Sequence, residues 1–562
     1  MRYGTVVVFL ILLLPTVEAT GYYYNFIIQD YWIQPDRSVR LSLDVKITNE
    51  GPPISGLIWK IPGRVERIQA WDREGGELRV SPVQRDNYTE VEISFTSPIP
   101  TRGHGGFRLD CTVEGAVEGT GPEFRGGFGG FATERRVESY VVRVWGPPGT
   151  RLFLASSPAR AFENFAELGR TLSAGESFEG IYTIFYRTPL SYEVSLSETL
   201  SNPGERDSTV LLDVLLFHRS EYQFATLCTS SHPLKSLYLD EENNWHANIE
   251  VRLRPGESEE IQLQLLYITE MYVCPTPQAA GRLEEIDESL ARYLQPDTWW
   301  EVNNPSIQEL ATQLVGRESD VYTIAYRLLQ GVGGLITYRE TELRQGALKT
   351  LAQRTGDCDG YSDLTIALAR ASGLPARLCT GWVPRENGGF GAHAWVEIYT
   401  PAFGWQSVDP TWTKEGREYI FKSEPTRLQR AVRGLSSSDS SISIEYFGPS
   451  PTISEAVEIS AVEDSDILPM LLQACRLSLE MAGRLVGQEN PVLAEARNHY
   501  NLAENFSSAE HARRSLEYSS QILANLGRKA QLERELPLPS WVIILILAVG
   551  GVLTVGTLLR RR

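Results

Sequence analysis

The chain has 562 residues, a formal net charge of −18 and six cysteines. Its 42% hydrophobic and 22% charged residues are typical of globular proteins, and its length requires several domains. The acidic balance argues against wholesale nucleic-acid binding, and the lack of any CxxC pair excludes zinc-ribbon and thioredoxin-type proteins.

The first segment has the layout of a secretory signal peptide. Arg2 precedes an apolar run over residues 5–14, and Ala19 closes a small-residue cleavage site. An apolar run of this length is too short to cross about 30 Å of hydrocarbon. The sequence therefore predicts that residues 1–19 are a signal peptide and that the body of the chain is exported.

The next segment alternates apolar and polar residues between turn signals, which predicts two β-sandwich domains at residues 20–189 and 190–276. Ten glycines between residues 103 and 130 favour either a flexible flap or a long hairpin tip. Cys228 and Cys274 lie near the ends of the second sandwich, and the sequence leaves open whether they form a disulfide.

From residue 277 the hydrophobic period becomes helical, and short strands follow, so we predict an α+β core over residues 277–430. Within it, Asp357 is a good helix N-cap, while Gly373 and Pro375 end the helix that it begins. Cys358 then lies in the first turn, where free N–H groups and the helix dipole favour a thiolate.

The segment after this helix predicts a β-hairpin with a polar face. His393 and Trp395 share one side of the first strand, and a turn at residues 400–404 leads to the second. If Tyr399 pairs with Trp405, Asp409 lies opposite Trp395 and within side-chain reach of His393. The hairpin thus brings an imidazole and a carboxylate together.

The C-terminal region contains no recognisable chemistry. We predict a linker with weak strands at residues 431–462 and a helical stalk at residues 463–535. Residues 541–559 carry no charge and are followed by three arginines, which predicts one transmembrane helix with a cytoplasmic tail at 560–562. The protein is then expected at the cell surface, with its body outside the cytoplasm.

A cysteine, a histidine and an aspartate in this arrangement are suited to acyl transfer. The imidazole removes the thiol proton and later protonates the leaving amine, while the carboxylate fixes the imidazole's orientation. The backbone N–H of Cys358 at the helix start can donate to the oxyanion. Each of the other six histidines has no partner pattern and is interpreted as a surface or turn residue.

Four motifs in register resemble the transglutaminase-like superfamily. They surround Cys358 in GDC, residues 368–377, His393 in GAHAWVE and Asp409 in GWQSVDPT, with His393 lying 35 residues after Cys358 and Asp409 a further 16 residues on. The resemblance covers residues 300–415 and implies a papain-like core with Cys358 as nucleophile, His393 as base and Asp409 as its orienter.

The resemblance also suggests the substrate pocket, for which Trp382, Trp395 and Tyr338 are the candidates. Trp382 stands where many members of the family carry tyrosine, a departure that concerns the pocket and not the triad. No cofactor and no metal site is predicted. The acidic turn at residues 240–244 matches no full calcium-loop consensus and is interpreted as a solvated hairpin turn.

These features predict a surface-anchored thiol enzyme that acts on amide bonds of proteins or peptides through a thioester acyl-enzyme. Hydrolysis by water makes it a cysteine peptidase or amidase, which the resemblance favours. Transfer to a lysine amine makes it a protein-glutamine transamidase. A different class stays open, namely a non-catalytic adhesion or scaffold protein whose sandwiches bind a partner.

Overall fold

The structure is a computed structural model that describes residues 10–12, 21–119, 121–156, 158–341, 343–385, 387–413, 419–438, 440–486 and 489–535. For residues 10–12 and 526–535 it describes the backbone alone. The chain forms two compact units, Met1–Thr188 and Pro189–Arg562, and each is described by itself.

The first unit is built from β-strands. In chain order they are β1 Leu10–Leu12, β2 Tyr22–Ile33, β3 Val39–Asn49, β4 Ile54–Pro62, β5 Arg64–Asp72, β6 Arg79–Gln84, β7 Tyr88–Ile99, β8 Gly103–Glu114, β9 Glu123–Phe128, β10 Gly130–Ala132, β11 Val137–Trp145, β12 Thr150–Ala155, β13 Arg160–Ala161, β14 Phe165–Leu172, β15 Ser177–Phe178 and β16 Ile181–Arg187.

A seven-stranded sheet in the order β13-β14-β11-β2-β3-β8-β5 forms the main layer of this unit, and three three-stranded sheets complete it. Alternate residues of these strands meet in one core that includes Trp59, Phe107 and Tyr140. The predicted strand-rich N-terminal region is therefore confirmed.

The glycine-rich segment is neither a flap nor a hairpin tip, since most of it forms β8 and β9 in two different sheets. Gly106 explains part of this glycine content. It adopts a φ of +150°, and a Cβ there would lie 2.0 Å from the carbonyl oxygen of Val45. Glycine is needed at such a position because the neighbouring strand approaches too closely for a side chain.

The second unit contains the remaining strands and the helices. Its strands are β17 Leu190–Ser201, β18 Ser208–His218, β19 Gln223–Ser230, β20 Leu234–Leu239, β21 Asn244–Leu253, β22 Ser258–Thr269, β23 Tyr272–Val273, β24 Thr337–Tyr338, β25 Thr355–Gly356, β26 Ala376–Pro384, β27 Phe390–Thr400, β28 Gly404–Val408, β29 Lys422–Ser423, β30 Leu428–Arg433, β31 Ile442–Phe447 and β32 Thr452–Ala461. Its helices are α1 Pro305–Val315, α2 Val321–Leu335, α3 Gly346–Gln353, α4 Cys358–Ala371, α5 Pro410–Thr413, α6 Asp464–Leu485, α7 Pro491–Phe506 and α8 Ala509–Glu535, with short 3₁₀ helices at Pro277–Ala279, Leu283–Glu285 and Glu288–Leu294.

The sandwich of this unit has two four-stranded sheets, β19-β22-β17-β32 and β20-β21-β18-β31. Within the predicted linker with weak strands at residues 431–462, β31 and β32 pair with β18 and β17 and complete both sheets. The predicted second sandwich at residues 190–276 therefore lacks these two strands. They lie at sheet edges, where many of their side chains remain exposed, so their hydrophobic alternation is weak.

Residues 464–535 contain the three helices α6, α7 and α8, and these helices pack against the sandwich of the same unit. Met481, Leu493 and Leu523 pack into the hydrophobic core of the sandwich. Leu471 and Cys475 of α6 pack with Cys228 of β19 in a second cluster. The apolar stripes that predicted the helices are thus buried against the two sheets.

The α+β core has the four-stranded sheet β28-β27-β26-β30 against helices α1 to α4. Helices α1 and α2 agree with the helical period predicted from residue 277, and their residues Ile307 and Ile324 are fully buried. Leu364 and Leu368 of α4 pack in the same hydrophobic cluster as Val396 of β27. The predicted α+β core is therefore confirmed.

Two predictions about the chain ends lie largely outside the described residues. Of the predicted signal peptide, residues 10–12 alone are described, and they pair as β1 with β10. The predicted transmembrane segment at residues 541–559 lies beyond the last described residue. Among the described helices, none is both long enough and apolar enough to cross a bilayer.

The disulfide considered between Cys228 and Cys274 is not formed. Both are free, buried thiols. Cys228 packs against helix α6, whereas Cys274 lies in the hydrophobic cluster of the α+β core. Their places in different clusters keep the two sulfurs from pairing.

Candidate active site

Cys358 begins helix α4 as predicted. The Asp357 side chain accepts a hydrogen bond from the Gly360 N–H at 3.2 Å, which caps the helix. The other carboxylate oxygen of Asp357 accepts from the Thr341 hydroxyl at 2.5 Å. The cap therefore fixes the first turn and with it the position of the cysteine.

The hairpin β27–β28 has the predicted register. Tyr399 pairs with Trp405 and Val396 with Val408, so that Asp409 follows directly after the last paired residue. Nε2 of His393 lies 2.8 Å from Oδ2 of Asp409. Both side chains are buried, with 7% and 1% of their surfaces exposed.

The carboxylate of Asp409 is held by four contacts. Its Oδ1 accepts from the backbone N–H groups of Thr411 and Trp412 at 3.0 and 3.1 Å. Its Oδ2 faces His393 and also accepts from Nη2 of Arg427 at 3.0 Å. Burial alone would raise the pKa of Asp409, but His393 and Arg427 together lower it, and the group is a carboxylate.

The surroundings of Cys358 do not favour a free thiolate. Burial is the main cause that raises the pKa of the thiol to about 12, and the negative charges of Asp359, Asp357 and Asp409 add to it. The backbone N–H of Ala394 donates to the sulfur and acts in the opposite direction. The thiolate expected from the helix dipole is therefore outweighed, and the thiol is protonated at neutral pH.

Ala394 also shows where the cysteine lies relative to the hairpin. It directly follows His393 on β27, so a sulfur that accepts from its N–H is next to the strand that carries the imidazole. Because Nε2 of His393 faces Asp409, Nδ1 is the ring nitrogen left to exchange a proton with another group.

The three pocket candidates have different positions. Trp382 lines a cavity of about 620 Å³ together with Phe390 and Ala392 of the core hairpin. Glu193 and Glu458 form part of its opposite wall, on the sandwich. Ala392 directly precedes His393 in β27, and strand alternation places these two side chains on opposite faces of the sheet.

Tyr338 is half-buried beside Cys358. Its strand β24 runs parallel to β25, with Tyr338 paired to Gly356, two residues before the cysteine. Trp395 is 1% exposed and packs with Cys379 and Val432. It therefore belongs to the interior that supports the site.

The sequence did not single out three further residues of this site. The indole of Trp412 stacks on His393 with 4.8 Å between ring centroids. Arg427 and Glu424 form a buried ion pair at 3.3 Å. Arg427 and Glu424 occur in no motif, whereas Trp412 lies three residues after Asp409, where its aromatic character was the one available signal.

No group of three or more histidine, cysteine, aspartate or glutamate side chains in the described part of the chain is arranged to hold a metal ion. In the acidic turn at residues 240–244, Asp240 accepts from the backbone N–H groups of Glu242 and Asn244. Glu242 accepts from the N–H groups of Gly434 and Leu435. Both carboxylates thus bind the protein itself.

A comparison of the sequence with protein-family models identifies a family that matches the region containing this site. Residues 308–410 match the model of the transglutaminase-like superfamily. The chain therefore carries a transglutaminase-like core. The match includes Cys358, His393 and Asp409, and the resemblance predicted from the sequence is confirmed.

The curated relatives match short stretches of this chain. A protein-glutamine gamma-glutamyltransferase from Pseudomonas aeruginosa is 32% identical over 107 residues, which cover 17% of this chain and 14% of the relative. The uncharacterized protein YebA from Bacillus subtilis is 35% identical over 71 residues, which cover 10% of each chain. The chain thus spans a small fraction of the length of these relatives.

Among solved structures, a candidate cysteine protease from Cytophaga hutchinsonii has 18% sequence identity and a TM-score of 0.38. The match covers 49% of this chain and 92% of that protein. The periplasmic domain of TgpA from Pseudomonas aeruginosa has 20% identity and a TM-score of 0.23, covering 41% and 79% of the two chains. These scores are too low to carry an argument about function.

Proposed function

We propose that the chain is a thiol enzyme that acts on amide bonds of proteins or peptides, with Cys358 as nucleophile, His393 as base and Asp409 as its orienter. The observation that carries the proposal is the buried His393–Asp409 hydrogen bond at 2.8 Å, beside the Ala394 N–H that donates to Cys358. A nucleophile, a base and a group that orients the base are the parts that covalent acyl transfer requires.

The reaction begins from a neutral thiol. His393 accepts the proton of Cys358 as the sulfur attacks the amide carbonyl, and the electron pair of the C=O bond moves to the oxygen. The backbone N–H of Cys358, at the free start of α4, is suited to stabilise this oxyanion. The imidazolium then protonates the amide nitrogen, the C–N bond breaks, and an amine leaves behind a thioester.

Two acceptors can release the acyl group from the thioester. Water gives a carboxylic acid and regenerates the thiol, with His393 accepting a proton from water and returning it to the sulfur. We propose this hydrolysis as the principal reaction, so that the enzyme is a cysteine peptidase or amidase.

A second candidate function is transamidation, in which an amine replaces water and a new amide forms. The name of the Pseudomonas aeruginosa relative, a protein-glutamine gamma-glutamyltransferase, favours it. The residues proposed for catalysis are the same in both reactions, so the acceptor distinguishes the two candidates.

We propose that the cavity beside Trp382 receives part of the substrate. Its apolar wall of Trp382 and Phe390 is suited to a substrate side chain. Anchoring at the cell surface through residues 541–559 belongs to the same proposal and rests on the apolar sequence of that segment. Protease digestion of intact cells tests it, since an exposed body is cleaved and an internal one is protected.

Alkylation by iodoacetamide, followed by mass spectrometry of the Cys358 peptide, tests the proposed site. The reaction is expected to accelerate with pH, because the neutral thiol must lose its proton. His393→Ala is expected to slow it at pH 7. If this variant leaves alkylation unchanged, His393 is not the base, and a non-catalytic adhesion or scaffold role gains support.

A peptide library incubated with the full chain, with and without an added amine, identifies the reaction. Cleaved peptides indicate a peptidase, conversion of glutamine to glutamate indicates an amidase, and amine adducts indicate a transamidase. Cys358→Ala is the control in all three cases. Products that persist in this variant contradict the proposed function.

A further inference from the structure

Arg427 is a buried cation at the centre of the site, with a role that the proposed chemistry does not assign. Its side chain is 1% exposed and lies over the indoles of Trp395 and Trp412, at 4.8 and 4.6 Å from their ring centroids. Both of its polar contacts, to Asp409 and Glu424, go through Nη2.

The other two nitrogens of this guanidinium, Nε and Nη1, are buried and have no hydrogen-bond partner among the described residues. Buried donors without partners cost free energy, so a side chain present for stability alone would be expected to use them. The two indole rings compensate in part, because a cation over an aromatic face is attracted by it. The arrangement points one N–H group at Asp409.

We propose that Arg427 is a positioning residue of the His393–Asp409 pair, which holds Oδ2 of Asp409 toward the imidazole and sets how strongly that oxygen attracts the imidazole proton. The inference rests on the proposed roles of His393 and Asp409. It adds a residue from outside the motifs that the transglutaminase-like family model matched.

The first half of this role is geometric. Oδ2 of Asp409 lies 2.8 Å from Nε2 of His393 and 3.0 Å from Nη2 of Arg427. Oδ1 is occupied by two backbone N–H groups at the start of α5. With both oxygens engaged, the carboxylate cannot rotate away from the imidazole, and Nδ1 stays directed to its proton partner.

The second half is electrostatic. A cation on the same oxygen as the imidazole competes for its negative charge, so removing the charge of Arg427 leaves more of that negative charge to the imidazole N–H. Glu424 lies 3.3 Å from the guanidinium and offsets part of its charge. Among the described residues, the Cys358 thiol and the phenols of Tyr419 and Tyr222 also act on this cluster.

The pKa of the His393 imidazolium, measured by NMR on ¹⁵N-histidine-labelled full chain, tests the inference. Cys358→Ala serves as the background, so that the thiol does not titrate, and the His393 signal is assigned by its loss in His393→Ala. Arg427→Met keeps an unbranched side chain between the indoles and removes the charge. We expect it to raise this pKa by about one unit, the size typical of a nearby charge.

Glu424→Gln is the matched variant, and it is expected to change the same measured quantity in the opposite direction. It leaves Arg427 less neutralised, so the pKa of His393 is expected to fall, by less than Arg427→Met raises it. Arg427→Lys keeps the charge and is expected to stay close to the parent value. If Arg427→Met fails to fold, as judged from the signals of the other six histidines, these two variants still decide the question.

Two results would overturn the inference. One is a pKa of His393 that does not respond to Glu424→Gln and Arg427→Met, and the other is a shift of the same sign in both, which a loosened structure would produce. Neither result bears on the proposed function, which fails instead if His393→Ala leaves the alkylation of Cys358 unchanged. The two failures are therefore distinguishable.

Discussion

Two buried arginines, three residues apart in the chain, differ in how their guanidinium groups are used. Arg430 donates from Nε to the Leu215 carbonyl at 3.0 Å and from both Nη atoms to Glu455 at 2.8 and 2.5 Å. Arg427 donates through Nη2 alone. Arg430 donates from all three side-chain nitrogens and joins β30 of the core to the sandwich. Arg427 donates from one nitrogen, which faces the candidate catalytic carboxylate.

The comparison teaches that burial of a charge does not by itself indicate its role. Substituting an arginine that donates from all three nitrogens breaks those contacts, so we expect the substitution to lower the free energy of unfolding. An arginine whose other donors have no partner is expected to act mainly on the carboxylates that it does contact, here those of Asp409 and Glu424. Each arginine belongs to a cluster of charged side chains. The junction cluster is formed by Arg430, Glu455 and Glu198. The catalytic cluster is formed by His393, Asp409, Arg427 and Glu424.

The largest effect is expected from breaking the catalytic cluster at Asp409. Asp409→Asn keeps the shape of the side chain but removes the charge that orients and stabilises the protonated imidazole. We expect the rate of product formation to fall about ten-thousandfold, the loss seen when the corresponding carboxylate of a serine protease is neutralised. Product formation from the peptide library measures it, and a circular dichroism spectrum that matches the parent at the assay temperature shows that the variant is folded.

The junction cluster is broken by Arg430→Met, which leaves Glu455 and Glu198 without their cation. Removing one partner of a buried ion pair destabilises strongly, and we expect a loss of about 3 kcal/mol. Denaturant unfolding measures it. The NMR pKa of His393 should not change in this variant, and a shift there would contradict the separation of the two clusters.

A smaller and pH-dependent effect is expected at Glu198, which faces Glu455 across β17 and β32. Burial, and next the charge of Glu455, raises the pKa of Glu198 to about 8. Its contribution to stability is therefore complete at low pH and is lost as the pH rises from the unfolded value near 4.3 through 8.

Glu198→Gln removes this titration. We expect the variant to match the parent near pH 4 and to exceed it in unfolding free energy at pH 9 by on the order of 2 kcal/mol. Glu193→Gln, on the outer face of the same strand, is the control and should leave the pH dependence unaltered. Parallel stability curves for Glu198→Gln and the parent would show that Glu198 is not buried as a neutral acid.

Much of the candidate site follows from local sequence patterns. The capping residue before Cys358 and the five-residue turn between Tyr399 and Trp405 fixed the helix start and the strand register, and both are confirmed. These features depend on residues close together in the chain. For the same reason the α+β character of the core was predictable.

What the sequence could not show depends on contacts between distant segments. Residues 442–461 return to edges of a sandwich begun some 250 residues earlier, and exposed edge strands carry little hydrophobic alternation. Arg427 and Glu424 meet Asp409 through the fold alone. The protonated state of Cys358 likewise depends on burial and on three carboxylates, which outweigh the helix dipole that the local pattern suggested.

The most direct test of the central claim is detection of the acyl group on Cys358 itself. A peptide substrate is mixed with the full chain, quenched in acid to preserve the thioester, digested and analysed by mass spectrometry. We predict an adduct on the peptide that contains Cys358, absent in Cys358→Ala and scarce in His393→Ala. Product formation with the adduct on another residue, or undiminished turnover in Cys358→Ala, would contradict the account.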